Sequence, residues 1–262
     1  MSNFLAVQRQ MAVSKTADQI ISGLNPTVWL AARKETVYAN NDPVGTATDW
    51  SGNGYHATQS VAASKPLFKT GVLNGLPTFW FDGTDDGLVT PTLPGTIHDG
   101  SFTIFCVWRN SATGPRDIYD TDPWNSGSYG GIHLPADTNY SANIRNTAIS
   151  GQYSAYDIAT EWGNDNVWRA SSHTCNHTHS SHALYNNGQP ATPWISRRTY
   201  DPGTTQNNFA MSIGCKNAGS APQYGILGDI AEWIAFPDAL STADRQALED
   251  ALGSTYGITI TH

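Results

Sequence analysis

The chain has 262 residues, a formal net charge of −8 and only 14% charged residues, against 24 glycines, 14 prolines and 11% aromatics. Acidity of this kind excludes a duplex-binding surface, which needs clustered Lys and Arg to neutralise phosphates, so no nucleic-acid partner is expected. No apolar run approaches the roughly 18 residues of a membrane span, and no basic region followed by an apolar core opens the sequence, so a soluble chain without signal or membrane insertion is expected.

Abundant Gly, Pro, Asn, Ser and Thr with few charges describe many short strands joined by turns, and sandwiches of this length are commonly single domains. Residues 1–13 carry Phe4, Leu5, Val7 and Met11, apolar enough to need a partner surface. Ser14 is read as the N-cap of a short helix whose Ala17, Ile20, Ile21 and Leu24 share one face before Asn25-Pro26 ends it. Residues 1–25 therefore stand apart as an arm that either packs on the domain or docks on another subunit, with Phe4, Leu5, Val7, Met11, Ile20 and Ile21 as assembly contacts.

From Thr27 the pattern becomes one of strands, at 28–30, 77–81, 102–108, 167–171, 209–214 and 226–236. Asn186-Asn187-Gly188 after Ala183-Leu184-Tyr185 predicts a hairpin, because a type I′ turn requires positive φ at both central positions. The last helix has Ser241 as N-cap, Asp244 three residues on, and an apolar stripe of Leu240, Ala247, Leu248, Ala251 and Leu252. Cys106, Cys175 and Cys215 are odd in number and widely spaced, which predicts free, buried thiols.

Five features recur in a characteristic order. They are Val28-Trp29-Leu30-Ala31-Ala32, Trp50-Ser51-Gly52-Asn53-Gly54, Asn74-Gly75-Leu76-Pro77 leading to Phe81-Asp82-Gly83-Thr84-Asp85-Asp86, the Asn187-Gly188 hairpin, and Gly228-Asp229-Ile230-Ala231-Glu232 followed by the Leu240-Ser241 helix. In that order the chain resembles, over residues 26–258, the concanavalin A-like, laminin-G-like jelly-roll superfamily, in the branch found in tailed-phage structural proteins and bacterial surface proteins. The resemblance implies an all-β domain over 26–262 with two stacked antiparallel sheets, one concave and one convex. It also implies rim loops that often bind glycans and sometimes calcium.

Some members of that superfamily hydrolyse glycans with acidic residues alternating along one strand, but no Glu-x-Asp-x-x-Glu strand occurs here. Asp229 and Glu232, three apart, project to opposite faces unless a bulge intervenes. In an extended stretch, His173, Cys175, His177 and His179 would share one face and suit a transition metal, whereas the alternative is a polar hairpin loop before Ala183. Asp82, Asp85 and Asp86 are hard oxygen donors in one compact turn, suited to calcium or simply to the turn itself. Within 111–168, read as loops, Tyr119, Trp124, Tyr129, Tyr140, Tyr153, Tyr156 and Trp162 lie among amides and hydroxyls, a mixture suited to a glycan or a protein partner.

No phosphate loop or nucleophile elbow occurs, and no residue is nominated as a catalyst. The expected role is a non-enzymatic virion structural protein of a tailed phage, decorating the capsid or forming part of a tail or fibre. It would dock on other virion proteins through its arm, form a homo-oligomer, and need no cofactor, with calcium as an optional ion. The alternative is a carbohydrate-binding adhesin module that meets cell-surface glycans, at the bacterial surface or outside the cell; a glycoside hydrolase ranks third.

Overall fold

Positive φ at Asn and Gly punctuates the chain into short antiparallel strands. In the computed structural model Asn74 and Gly75 have φ of 51° and 76°, and Asn187 and Gly188 have 50° and 83°, the pattern that joins two strands through a two-residue turn. The structure describes residues 15–94, 101–113, 116–122, 129–134, 139–145, 153–159, 165–176, 181–190, 193–197, 210–216, 218–219 and 222–262.

Helix α1 (Ala17–Gly23) precedes β1 (Val28–Ala31), β2 (Thr46–Ala47), β3 (Ala57–Thr58), β4 (Leu67–Leu73), β5 (Leu76–Asp82), β6 (Leu88–Val89) and β7 (Phe102–Asn110). Next come β8 (Arg116–Asp122), β9 (Tyr129–Leu134), β10 (Asn139–Arg145), β11 (Tyr153–Ala159) and β12 (Arg169–Asn176). The rest is β13 (Ser181–Asn186), β14 (Gln189–Pro190), β15 (Pro193–Arg197), β16 (Ala210–Ile213), β17 (Leu227–Phe236) and helix α2 (Thr242–Tyr256). One sheet runs β14-β13-β12-β7-β17-β5-β4, with β1 also paired to β17; the other runs β15-β11-β10-β9-β8-β16-β6-β3-β2. The predicted two-sheet antiparallel jelly-roll sandwich is the observed fold.

Two segments differ from their sequence reading. The stretch 111–168, expected to be loops, contributes β8, β9, β10 and β11 to the second sheet. Residues 173–176, placed in a loop by one reading, instead extend β12, where His173 pairs with Ile104 and Leu184.

The sheets enclose a core that includes Phe81, Trp108, Tyr119, Ile213 and Trp233. A second core lies on the opposite face of the first sheet, where Ile21, Leu248, Leu252 and Tyr256 of the helices pack on Trp29, Phe105, Val107, Ile234 and Phe236. Burying each such side chain contributes about 1.5–3 kcal/mol. The N-cap of α1 is Thr16, not Ser14: Thr16 Oγ1 accepts from Gln19 N at 3.3 Å and Gln19 Oε1 accepts from Thr16 N at 2.9 Å, a reciprocal capping box. Ile21 is fully buried in the domain's own core, which takes it out of reach of an assembly contact, and the half-buried Ile20 packs against that core. Phe4, Leu5, Val7 and Met11 lie outside the described residues.

Helix α2 begins where predicted, with Ser241 Oγ accepting from Asp244 N at 3.1 Å. Its buried face is rotated from the predicted stripe: Ala247 is exposed, while Arg245 and Glu249 are inside. Arg245 Nη1 donates to both Glu249 oxygens at 2.6 Å and its guanidinium stacks 3.5 Å from the centroid of Tyr185, so the pair enters the core neutralised. Ser172 Oγ adds a donor to Glu249 Oε1 at 2.5 Å.

The ladder between β17 and β7 carries a bulge. Ile230 faces Trp108 and Glu232 faces Val107, leaving Ala231 as the extra residue. Asp229 and Glu232 consequently share the helix-side face. Glu232 is fully buried and accepts from Trp29 Nε1 at 2.5 Å, Tyr256 Oη at 2.6 Å and Arg33 Nε at 3.1 Å. Arg33 in turn meets Asp18 of α1 at 2.5 Å, so one carboxylate joins β17, β1, both helices and the 3-10 turn Ala32–Lys34. Burial disfavours the Arg33 charge, but the Glu232 carboxylate outweighs it and holds the guanidinium firmly protonated.

Replacing Glu232 by Ala leaves Arg33 with Asp18 alone and strips the buried Trp29 and Tyr256 donors of their acceptor, and is expected to cost about 3–5 kcal/mol. Urea unfolding followed by tryptophan fluorescence measures it; a loss below about 1 kcal/mol, as for an exposed pair, would contradict the account.

Candidate functional site

At one rim of the sandwich three segments meet: the turn 83–87 between β5 and β6, the loop 59–64 after β3, and the excursion 214–226 between β16 and β17. Gln59 pins them together. Its buried side chain donates from Nε2 to Gly87 O at 2.9 Å and to Ala218 O at 3.3 Å, and its Oε1 accepts from Val61 N at 3.0 Å. At Gly87 a Cβ would collide with Cys215 Sγ and Ala218 Cβ, so glycine is what allows the turn to approach the excursion.

The turn gathers three carboxylates. Asp82 Oδ1 accepts from Thr84 N at 2.8 Å, Asp86 Oδ2 accepts from Asp82 N at 3.0 Å, and Asp85 Oδ2 accepts from Ser64 Oγ at 2.8 Å. One oxygen from each of Asp82, Asp85 and Asp86 lies within 4.8 Å of the others, and this is the sole such group of metal-ligand type among the described residues. Burial first, and then the negative charges of Asp82 and Asp85, push the Asp86 carboxyl up to about 7, against the weaker opposing pull of the Asp82 N–H. Three hard oxygen donors that repel one another fit a calcium-like cation, which would supply the missing positive charge.

The excursion adds an exposed aromatic. Tyr224 has φ of 56°, a conformation costing about 1–3 kcal/mol for a bulky residue, and remains 40% exposed. Its carbonyl accepts from Asp117 N at 2.8 Å, and Lys216 and Gln223 close the excursion by paired backbone bonds of 2.8 and 2.9 Å. Gly225 follows it against the acidic turn, with its Cβ direction 3.3 Å from Thr84 O.

Other predicted site residues have different fates. Tyr119 is not a surface platform: it is 1% exposed, packs edge-on to Trp233 and meets His173 Nδ1 through its hydroxyl at 3.2 Å. His173 and Cys175 do share a face of β12, but it faces the inter-sheet core, where Phe102 packs edge-on against His173. Burial raises the Cys175 thiol to about 12, which opposes the thiolate that a transition metal needs. His177, His179, Trp124 and Trp162 lie outside the described residues. Tyr129, Tyr140, Tyr153 and Tyr156 occupy β9, β10 and β11, with Tyr129 and Tyr153 both opposite Arg145 and with Tyr140 opposite Ile158; their side chains lie outside the described set. The three cysteines are free and buried, as expected. Sequence reasoning missed Gln59, Ser64 and Tyr224, whose roles come from contacts across loops and carry no local pattern.

No protein-family model matches the chain, and no curated protein matches it either. Among solved structures it is similar to the binding domain of botulinum neurotoxin serotype D, with a TM-score of 0.63 at 13% identity over 89% of this chain and 53% of that one; that toxin's ligand-binding domain is also solved with N-acetylneuraminic acid. A botulinum neurotoxin type C structure, whose cell entry depends on interaction with two ganglioside molecules, gives 0.59 at 16% identity over 88% and 53%. A Trypanosoma rangeli sialidase gives 0.57 at 12% identity over 90% and 34%. The chain thus spans about half of the toxin chains and a third of the sialidase. These neighbours overturn the expectation of a tailed-phage virion component located in the virion, for they are toxin binding domains and a sialidase and not capsid or tail proteins. The chain has the lectin-type, concanavalin A-like β-sandwich fold.

The raised Asp86 pKa has a defined sign. The folded state keeps a proton that the unfolded chain releases near pH 4, so the associated stability is full below about pH 4 and is lost as pH rises through about 7. In chelator the melting temperature is expected to fall between about pH 5 and 8, and calcium at about pH 8 to restore it. Asp86→Asn should flatten both responses while still accepting the Asp82 N–H. Scanning calorimetry of both proteins decides; a wild-type melting temperature indifferent to pH and to calcium would contradict the cluster.

Proposed function

We propose that this chain is a non-catalytic carbohydrate-binding module that meets cell-surface glycans outside the cell or at a bacterial surface. The observation that carries the reading is the sandwich itself, shared over nearly the whole chain with toxin domains whose recorded partners are a ganglioside and N-acetylneuraminic acid. The rim supports it. Tyr224 offers an exposed aromatic ring, and Asp82 and Asp85 offer acceptors for sugar hydroxyls, directly or through a calcium-like ion.

Among the described residues, Asp229 and Glu232 do not supply an open pair of carboxylates. Asp229 and Glu232 share a face only because of the bulge, and both are sealed beneath the helix-side layer at 1% and 0% exposure. Asp229 is further occupied by Thr78 Oγ1 at 2.6 Å and Arg109 Nε at 2.8 Å. Both carboxylates are buried and already paired, so they present no open face to a substrate.

The expected result of a glycan-array screen, run with calcium and with chelator, is saturable binding to at least one glycan class without release of reducing ends. Absence of saturable binding under both conditions would overturn the reading, and release of reducing ends would replace it with a hydrolase.

A further inference from the structure

Beside the acidic turn, the same rim holds a small dent of about 110 Å³. Its lining combines the hydroxyl-bearing Thr58, Ser60 and Ser64 with the apolar Val61, Val89 and Pro222. Hydroxyls mixed with aliphatic surface suit a sugar edge, whose C–H groups and O–H groups alternate. The floor is rigid: Gln59 is 5% exposed and makes three hydrogen bonds, and Ser64 is 4% exposed with its hydroxyl held by Asp85. Thr58, Ser60 and Val61 are by contrast exposed, and Val61 at 58% is among the most solvent-facing apolar side chains described.

Charge decides which sugar. Among the described residues, no cationic side chain lines the dent. Lys65, next to Ser64 in sequence, directs its ammonium toward Gly45, and Lys216 stacks 5.6 Å from the Tyr224 ring centroid. The nearest charged group through a direct contact is Asp85, bonded to Ser64 and grouped with Asp82 and Asp86. A divalent cation on that cluster would reduce its negative charge without making it positive. A glycan carboxylate, sulfate or phosphate entering here would therefore meet like charge and no compensating cation among the described residues.

Resting on the carbohydrate-binding reading, we propose that the dent lined by loop 59–64, Val89, Ala218, Gly219 and Pro222 is a sugar subsite selective for a neutral, hydroxyl-rich residue, unlike the acidic sugar recorded for the serotype D toxin. Ser60 and Thr58 supply the exchangeable hydroxyl contacts, and Val61 and Pro222 cover the C–H face of the ring.

The test is calorimetric titration of the intact chain with matched oligosaccharides, one ending in a neutral hexose and the other capped with N-acetylneuraminic acid. It is repeated on Ser60→Phe, which fills the dent from an exposed position, and on Val61→Asp, which removes the apolar wall. The neutral ligand is expected to bind at least tenfold tighter than its sialylated partner. Each variant is expected to lose at least tenfold for the neutral ligand, with the melting temperature of the wild type. A sialylated preference, or neutral binding unchanged in both variants, would overturn the subsite while leaving carbohydrate binding intact. A chain that binds no glycan on the array would remove the underlying reading as well, and that outcome is distinct from the first two.

Discussion

Ala231 occupies an extra position in the ladder between β17 and β7, and much of the molecule is arranged around the consequence. Without that residue Asp229 and Glu232 would lie on opposite faces, and one carboxylate would enter the inter-sheet core among Trp108, Trp233 and Tyr119. With it, both face the helices, where each finds cationic and hydroxyl partners: Arg33, Trp29 and Tyr256 for Glu232, and Arg109 and Thr78 for Asp229. A buried carboxylate without such partners would cost several kcal/mol, so the bulge and the helical layer are mutually required.

The helical layer has its own buried ion pair. Glu249 and Arg245 follow the same logic one strand pair away, with Ser172 and Tyr185 completing the shell. Burial leaves the Tyr256 phenol, and the neighbouring Glu232 charge reinforces it, held well above its ordinary pKa, so it remains a donor to that carboxylate. This face of the first sheet is therefore closed to ligands. At the rim the exposed Asp82, the half-buried Asp85 and the buried Asp86 are drawn together instead. The two environments hold carboxylates for different reasons: neutralised and structural under the helices, mutually repelling and competent for a cation or a hydroxyl at the rim.

The likeness to toxin domains at 13–16% identity is a likeness of fold, and it does not transfer residues. What individualises this chain is chemistry at the rim: a strained Tyr224, a dent without cations, and a carboxylate cluster tied to it through Ser64. The virion expectation drew on an apolar arm, yet the part of that arm seen here, α1, is built into the second core through Ile21.

Sequence by itself determined the features set by neighbours in the chain. The positive-φ requirement at Asn187-Gly188 placed a hairpin, Asn74-Gly75 marked a tight turn, Ser241 and Asp244 marked the start of α2, and low charge with short apolar runs announced many short strands, because turns, caps and alternation are local. It also gathered Asp82, Asp85 and Asp86 within one turn. Tertiary structure alone decided the rest. Whether Tyr119 and His173 faced water or the core, whether Asp229 and Glu232 shared a face, which side of α2 was buried, and that Gln59, Ser64 and Gly225 would meet the acidic turn all depended on contacts between residues tens to hundreds of positions apart. Those contacts follow from ladder register and charge pairing across the sandwich, which no local pattern encodes.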